Sequence, residues 1–195
     1  MRRQLFDKFI WFSSRAIPRL RALGFGLLTG MRFAKIGKAV KLRGLTRITL
    51  GKGVSLGDFC WLECVESYRG QRLEPDLNIG PGTAISDLTH ISCALKIDIG
   101  KDCLLGSKIY IGDHSHGTTS SESIELNVPP GKRDLADLSP ITIGDHVWIA
   151  DGAVILAGSS IASGSIIGAN SVVKLQSTRP AVIAGAPATI RRYLN

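Results

Sequence analysis

A six-residue beat governs this chain. From Ile143 an aliphatic side chain returns at every sixth position, at Ile149, Ile155, Ile161, Ile167 and Val173. Four places after each of the first five stands a small or β-branched residue: Val147, Ala153, Ser159, Ser165 and Ser171. The same rule holds upstream. Leu50, Leu56 and Leu62 are in step, with Val54 and Cys60 at the small position. Ile79, Ile85, Ile91 and Ile97 form a second run with Thr83 and Thr89, and after a slip of two residues the count restarts at Ile99, Leu105 and Ile111. A period of six fits neither the 3.6-residue turn of a helix nor the two-residue alternation of a strand, but it fits a short strand plus a corner repeated around a prism. Each aliphatic side chain then points inward and stacks on its equivalents in adjacent coils. The residue four later must be small because the interior narrows there. Burying one such aliphatic is worth roughly 1.5–3 kcal/mol, which one coil cannot realise without neighbours. Periodicity alone therefore predicts an all-β, six-residue solenoid.

The 22 glycines and 12 aromatic residues among 195 suit an architecture with many tight corners. Net charge is +8, but its distribution matters more than its total. Residues 1–47 hold twelve Lys or Arg against the single acid Asp7, which is +11, so the remainder is net −3. A body of that balance has no reason to bind nucleic acid, and any electrostatic partner belongs to the N-terminal segment. There Leu5, Phe6, Phe9, Ile10 and Phe12 recur at helical spacing beside Arg2, Arg3 and Lys8, as in a basic amphipathic helix. Two readings stand side by side: residues 1–17 touch an anionic membrane surface, or the helix packs over the end of the domain. Pro18 should end or kink it. The uncharged stretch 22–31 is too short and glycine-rich to span a bilayer, and Asp7 and Lys8 interrupt any signal-peptide core, so a cytoplasmic protein is expected, peripheral at the inner face of the membrane if the helix binds lipid. Cys60, Cys64, Cys93 and Cys103 form no CxxC pair and read as reduced structural thiols.

Between Ile111 and Ile141 the beat stops. An excursion of this length, residues 113–140, is usually functional. It opens on the histidine pair His114 and His116. Histidine titrates closest to neutrality and can take a proton from a hydroxyl and return it within one cycle. On these residues alone, the stretch reads either as a capping element or as the site of a base.

IleGlyAspHisSerHisGly (111–117), ProProGlyLysArg (129–133), IleThrIleGlyAspHisValTrpIle (141–149), GlyAlaAsnSerValVal (168–173) and IleAlaGlyAlaProAla (183–188) together resemble the polysaccharide and lipopolysaccharide O-acetyltransferases of the hexapeptide-repeat superfamily, to which the galactoside and maltose acetyltransferases also belong. The likeness runs over residues 45–193. It implies a left-handed parallel β-helix over 45–193 behind a basic segment 1–44, with the loop excursion at 113–140. The handedness comes from the resemblance and not from the spacing, since parallel crossovers are otherwise right-handed. The resemblance also implies acetyl-CoA as acyl donor, no metal, a sugar hydroxyl as acceptor, and a homotrimer with active sites at subunit interfaces. His114 matches the base of that family. Trp148, Asp151, Ala169, Lys174 and Arg192 match positions along the coenzyme A groove, with Lys174 and Arg192 suited to phosphates. Asp87, His90 and His116 are candidates for contact with the acceptor, and His146 falls at an outward position with no expected role.

Other readings of the same chain are acetylation of another small acceptor such as a sugar derivative or an antibiotic, and a catalytically silent assembly subunit. A zinc site built from His90, His114 and His116, as in the γ-class carbonic anhydrases, would use the same fold with different surroundings.

Overall fold

The computed structural model describes residues 2–119 and 126–195, with the side chains of the first helix from Phe12 onward. The aliphatic beat becomes a three-sided, left-handed parallel β-helix. The first face stacks Lys35–Ile36, Ser55–Leu56, Ala84–Ile85, Leu104–Leu105, Trp148–Ile149, Ile166–Ile167 and Ala181–Gly185. The second stacks Lys41–Arg43, Trp61–Cys64, His90–Cys93, Tyr110–Gly112, Val154–Leu156 and Val172–Val173. The third stacks Ile48–Leu50, Asp76–Ile79, Lys96–Ile99, Ile141–Ile143 and Ser160–Ile161. We number the coils by their first-face strand, so that coil 1 starts at Lys35 and coil 4 at Leu104. Ala188–Tyr193 turns back antiparallel on Ala181–Gly185 and closes the C-terminal end.

The register is the one the beat requires. Leu56, Ile85, Leu105, Ile149 and Ile167 are successive partners on the first face, and Leu62, Ile91, Ile111, Ile155 and Val173 on the second. All ten are buried, as are the small positions from Val54 to Ser171. Polar members of the small set make internal staples. Thr83 Oγ1 donates to Gly100 O at 2.8 Å and accepts from Cys103 N at 3.1 Å. Thr83→Val keeps the shape and removes both bonds, so it should cost about 1–3 kcal/mol. Differential scanning calorimetry should show Tm lower by roughly 2–12 °C.

Two corners of the prism repeat almost without variation. Between the first and second faces, Ala39, Phe59, Leu88, Lys108, Gly152 and Asn170 each adopt a left-handed backbone, with φ from 51° to 71°. The corner between the second and third faces carries the irregularities. Coil 2 inserts a hairpin there, Ser67–Tyr68 paired with Gln71–Arg72, and coil 4 inserts the long excursion. Coil 3 inserts only the slip of two residues, because Ile97 and Ile99 both face inward from one strand. Beside the one long excursion, a second, shorter insertion sits at the same corner. It leaves no motif of its own, only a gap in the beat between Leu62 and Ile79.

Two N-terminal boundaries also differ from expectation. The column begins at Lys35 and not at residue 45, since Lys35 and Ile36 pair with Ser55 and Leu56. Ile36, Leu42 and Ile48 keep the six-residue beat, and Ile48 and Leu50 share one strand, so the slip that separates coils 3 and 4 recurs here and hides the first coil. The helix α1 spans Arg2–Thr29 and continues through Pro18. Proline removes one helical bond, but the turns beyond it are held by packing: Ala22 is buried, and Phe25 meets Phe33 edge to face at 5.6 Å. The side chains of Arg2, Arg3, Leu5, Phe6, Lys8, Phe9 and Ile10 lie outside the described residues. No described helix is long and apolar enough to cross a membrane.

Candidate active site

Asp113 is the last residue of coil 4 before the excursion, and it is fully buried. The reason lies one coil below. The two-residue slip of coil 3 bends the chain at Cys93–Lys96 and leaves backbone N–H groups turned toward the column axis without a strand partner. Asp113 collects them. Its Oδ1 accepts from Ala94 N and its Oδ2 from Leu95 N and Lys96 N, each at 2.8 Å. Two side chains add to these: the Cys93 thiol donates to Oδ2 at 3.5 Å, and His114 Nδ1 lies 2.9 Å from Asp113 Oδ1. Burial alone would raise the Asp113 pKa, but the bonds from His114 and from the backbone outweigh it and hold the carboxyl below its ordinary range. The carboxylate is therefore ionised, and it fixes the imidazole proton on Nδ1. Among the described residues nothing bonds Nε2, whose lone pair is left for a proton.

That imidazole borders a cavity of about 410 Å³ on the second face. Trp61, His90 and Tyr110 hold the same register in coils 2, 3 and 4 and stack outward as a ladder. Trp61 and His90 lie parallel at 4.3 Å, and Tyr110 meets His90 edge to face at 5.5 Å. Gly112 lets the ladder lean toward His114, because a Cβ there would overlap the Tyr110 hydroxyl. Burial, with Asp113 and Glu63 nearby, raises the Tyr110 pKa, so the phenol keeps its proton.

A second histidine–carboxylate pair occupies the same cavity. Glu63 Oε1 takes His90 Nε2 at 3.3 Å and Ser92 Oγ at 3.1 Å, while Arg43 Nη1 approaches Oε2 at 3.7 Å. The cavity thus runs down the second face from His114 in coil 4 to Arg43 in coil 1. The two excursions wall it. Tyr68 Oη donates to Gly131 O at 3.3 Å, Gln71 exchanges bonds of 3.1 and 3.0 Å with Leu135, and Tyr68 lies 5.3 Å from the His116 ring. Ser115–His116 pairs antiparallel with Leu135–Ala136, which closes the neck of the long excursion.

His90, His114 and His116 are therefore brought together. The other candidate residues are placed elsewhere. Trp148 points outward from the first face, half exposed, next to Leu104. Asp151 and Ala169 occupy the corner between the first and second faces, on the opposite edge of the second face from His114. Asp87 shares that corner. Its Oδ1 accepts Asp58 N at 2.7 Å, and Asp151 Oδ1 accepts Ser107 N at 2.7 Å, so both carboxylates clamp one coil to the next. Lys174 is exposed at the second-to-third corner two coils beyond His114, and Arg192 is exposed on the closing strand. His146 is exposed at a third-to-first corner, 3.6 Å from Asp102. The four cysteines are free and buried, and burial raises the thiols of Cys60 and Cys103. Among the described residues no cluster of three or more His, Cys, Asp or Glu is placed to hold a metal ion.

Glu63, Trp61, Tyr110 and the anchoring role of Asp113 are additions from the structure. The ladder had a signal in the sequence: Trp61, His90 and Tyr110 each immediately precede an inward aliphatic, Leu62, Ile91 and Ile111. Glu63 had none, because its partner Arg43 belongs to the coil that the slip conceals.

Stacked six-residue corners around an aliphatic core, with a buried aspartate orienting a histidine at the one irregular edge, define a hexapeptide-repeat column. The profile of the bacterial transferase hexapeptide family (six repeats) matches residues 140–174. Over 113 residues the chain is 38% identical to WbbJ of Escherichia coli K12, a protein named for lipopolysaccharide biosynthesis O-acetyl transfer; the match covers 57% of each chain, so this chain spans a little over half of that relative's length. Two solved structures share the fold. AntD, an N-acyltransferase from Bacillus cereus in complex with dTDP and 3-hydroxybutyryl-CoA, superposes with a TM-score of 0.63 at 18% identity, covering 83% of this chain and 80% of its own. The hexapeptide-repeat acetyltransferase VCA0836 from Vibrio cholerae, complexed with acetyl-CoA, does so with a TM-score of 0.52 at 22% identity, covering 90% of this chain and 78% of its own. The chain carries the hexapeptide repeat over residues 140–174 and shares the β-helical fold of these solved structures.

Proposed function

We propose that this protein is an acetyl-CoA-dependent O-acyltransferase that acetylates a sugar hydroxyl in the synthesis of a surface polysaccharide or lipopolysaccharide. The observation that carries the reading is the pair Asp113–His114: a buried, ionised carboxylate holds the proton on Nδ1, and the His114 imidazole lines a cavity. Nε2 takes the proton of the acceptor hydroxyl as its oxygen attacks the thioester carbonyl. The tetrahedral oxyanion collapses, the carbon–sulfur bond breaks, and the imidazolium returns the proton to the coenzyme A thiolate. The products are an acetyl ester and free coenzyme A, with no covalent enzyme intermediate. His90 and His116, which share the cavity, contact the acceptor.

In one column the donor residues Trp148, Asp151 and Ala169 are separated from His114 by the width of the second face. The two sets meet when a second copy sets its first-to-second corner beside the His114 edge, which supports a homotrimer with sites between subunits. Half-exposed Leu104 and Trp148 on the first face suit such packing. The name of WbbJ and the dTDP bound to AntD favour a saccharide acceptor. We place the reaction in the cytoplasm, where acetyl-CoA is made.

The test is thiol release from acetyl-CoA by purified protein with a panel of monosaccharides, nucleotide sugars and oligosaccharide fragments. The expected outcome is release that depends on one class of saccharide, with an acetyl ester detected by mass spectrometry on that saccharide. Thiol release no faster with any acceptor than without would overturn the reading.

A further inference from the structure

The helix α1 turns one apolar stripe away from the column. At 3.6 residues per turn, Phe12, Ala16, Leu20, Leu23 and Leu27 fall within about 80° of one another around the axis. Phe12, Leu20 and Leu23 are 65%, 64% and 65% exposed, and Leu27 is 90% exposed. The opposite side holds buried Ala22 and the Phe25 ring that meets Phe33, so the helix is already seated and the stripe is not the face that seats it. Ile17 and Leu28 lie off the stripe, Leu28 lining the hollow of about 530 Å³ between α1 and coil 1.

The charges beside the stripe choose its occupant. Arg15 and Arg19 are exposed along its edge, and between Asp7 and Asp58 the chain contains no acidic residue at all. A protein face of ordinary mixed charge offers this run of cations no particular preference. The headgroup region of an anionic bilayer meets it with opposite charge, and the acyl boundary just below accepts the leucines. The unbroken passage through Pro18 is what makes the stripe continuous.

We propose that α1 lies in the surface of an anionic membrane through Phe12, Leu20, Leu23 and Leu27, with Arg15 and Arg19 at the phosphate level. The helix packs on the first-face strand of coil 1, and the cavity that contains His114 reaches Arg43 on the second face of that same coil. Membrane docking stands independently of the transfer reaction, and its test needs no acceptor.

Full-length protein would be floated with vesicles of phosphatidylglycerol and phosphatidylcholine, and with vesicles of phosphatidylcholine alone. The expected result is binding to the anionic vesicles that weakens in high salt and falls about tenfold or more in the variant carrying Leu20→Ser, Leu23→Ser and Leu27→Ser. Arg15→Ser with Arg19→Ser, which leaves the stripe intact, should lower binding to the anionic vesicles only. Circular dichroism checks that each variant folds. Absence of binding to anionic vesicles, or equal binding of wild type and the leucine variant, overturns the proposal. A fall in molar mass by light scattering in the leucine variant, without a change in vesicle binding, assigns the stripe to a second copy of the chain and overturns it too.

Discussion

Replacing His114 by alanine should lower kcat by about 10²–10⁴ while the column stays folded. The size follows from what one imidazole contributes. Removing the base leaves the hydroxyl to attack with its proton still attached, at a barrier about 3–5 kcal/mol higher. Binding of both substrates remains. Folding should survive because of the geometry beneath. His114 is one of five donors to the buried Asp113 carboxylate, and the Cys93 thiol and the three backbone N–H groups of Ala94, Leu95 and Lys96 stay in place. Losing one charge-assisted bond costs about 1.5–3 kcal/mol, which a column with so extensive a core can absorb. Steady-state kinetics beside a thermal melt separate the two quantities. A variant that turns over at the wild-type rate removes His114 as the base. A variant that does not fold would say that the imidazole serves the corner and not the chemistry, and His114→Gln, which preserves a donor to Asp113, then reports on catalysis alone.

The architecture was legible because the core repeats. Each inward aliphatic has the same neighbours one coil up and one coil down, so one line of arithmetic on the sequence locates them all. Legibility failed where the beat slipped. At Ile48–Leu50 and at Ile97–Ile99 two inward residues share a strand, and a fixed count of six reads each pair as an end and a beginning. The first slip concealed coil 1, and with it Arg43. The second lies directly below Asp113, and the bend it produces needs the carboxylate. No single-residue signal announces this, because the cause of the Asp113 position is a backbone shape one coil away in space and about twenty residues away in sequence.

The site was legible only in part for a related reason. His114 could be picked out by its place at the mouth of the excursion, but its orienting carboxylate stands next to it in a motif where aspartates commonly cap turns. Asp87 and Asp151 do cap turns. All three carboxylates accept backbone N–H groups from another coil, and the difference between them is burial: Asp113 is fully buried, whereas Asp87 and Asp151 are exposed. A desolvated carboxylate that also holds a histidine is a positioning device as well as a corner clamp, and its two roles should separate on substitution.

Asp113→Ala should therefore affect stability and turnover together, and pH dependence tells how. Removing the carboxylate leaves three buried backbone donors without partners, at about 1–3 kcal/mol each if none recovers a bond, so a loss on the order of 3 kcal/mol or more is expected. For a chain of this size that lowers Tm by roughly 6–12 °C. Turnover should fall at least as far as in His114→Ala, since the imidazole loses both its orientation and its fixed tautomer. The sign of the pH effect is set by the depressed pKa of Asp113. A carboxylate that titrates lower in the folded protein than in the unfolded chain stabilises fully above the unfolded value, about 3.9, and its contribution disappears as pH falls through the folded value. Wild-type protein should thus lose stability steeply below about pH 4, and Asp113→Ala should lose less over the same interval, so that the two stability curves converge in acid. Asp113→Asn sharpens the test, because its amide NH₂ would face donors and not acceptors; it should be no more stable than the alanine variant. Denaturant titrations at several pH values measure all three proteins. Parallel curves for wild type and Asp113→Ala from neutral pH into acid would mean that Asp113 is not the ionised anchor of this corner, and the fixed Nδ1 proton of His114 would lose its support.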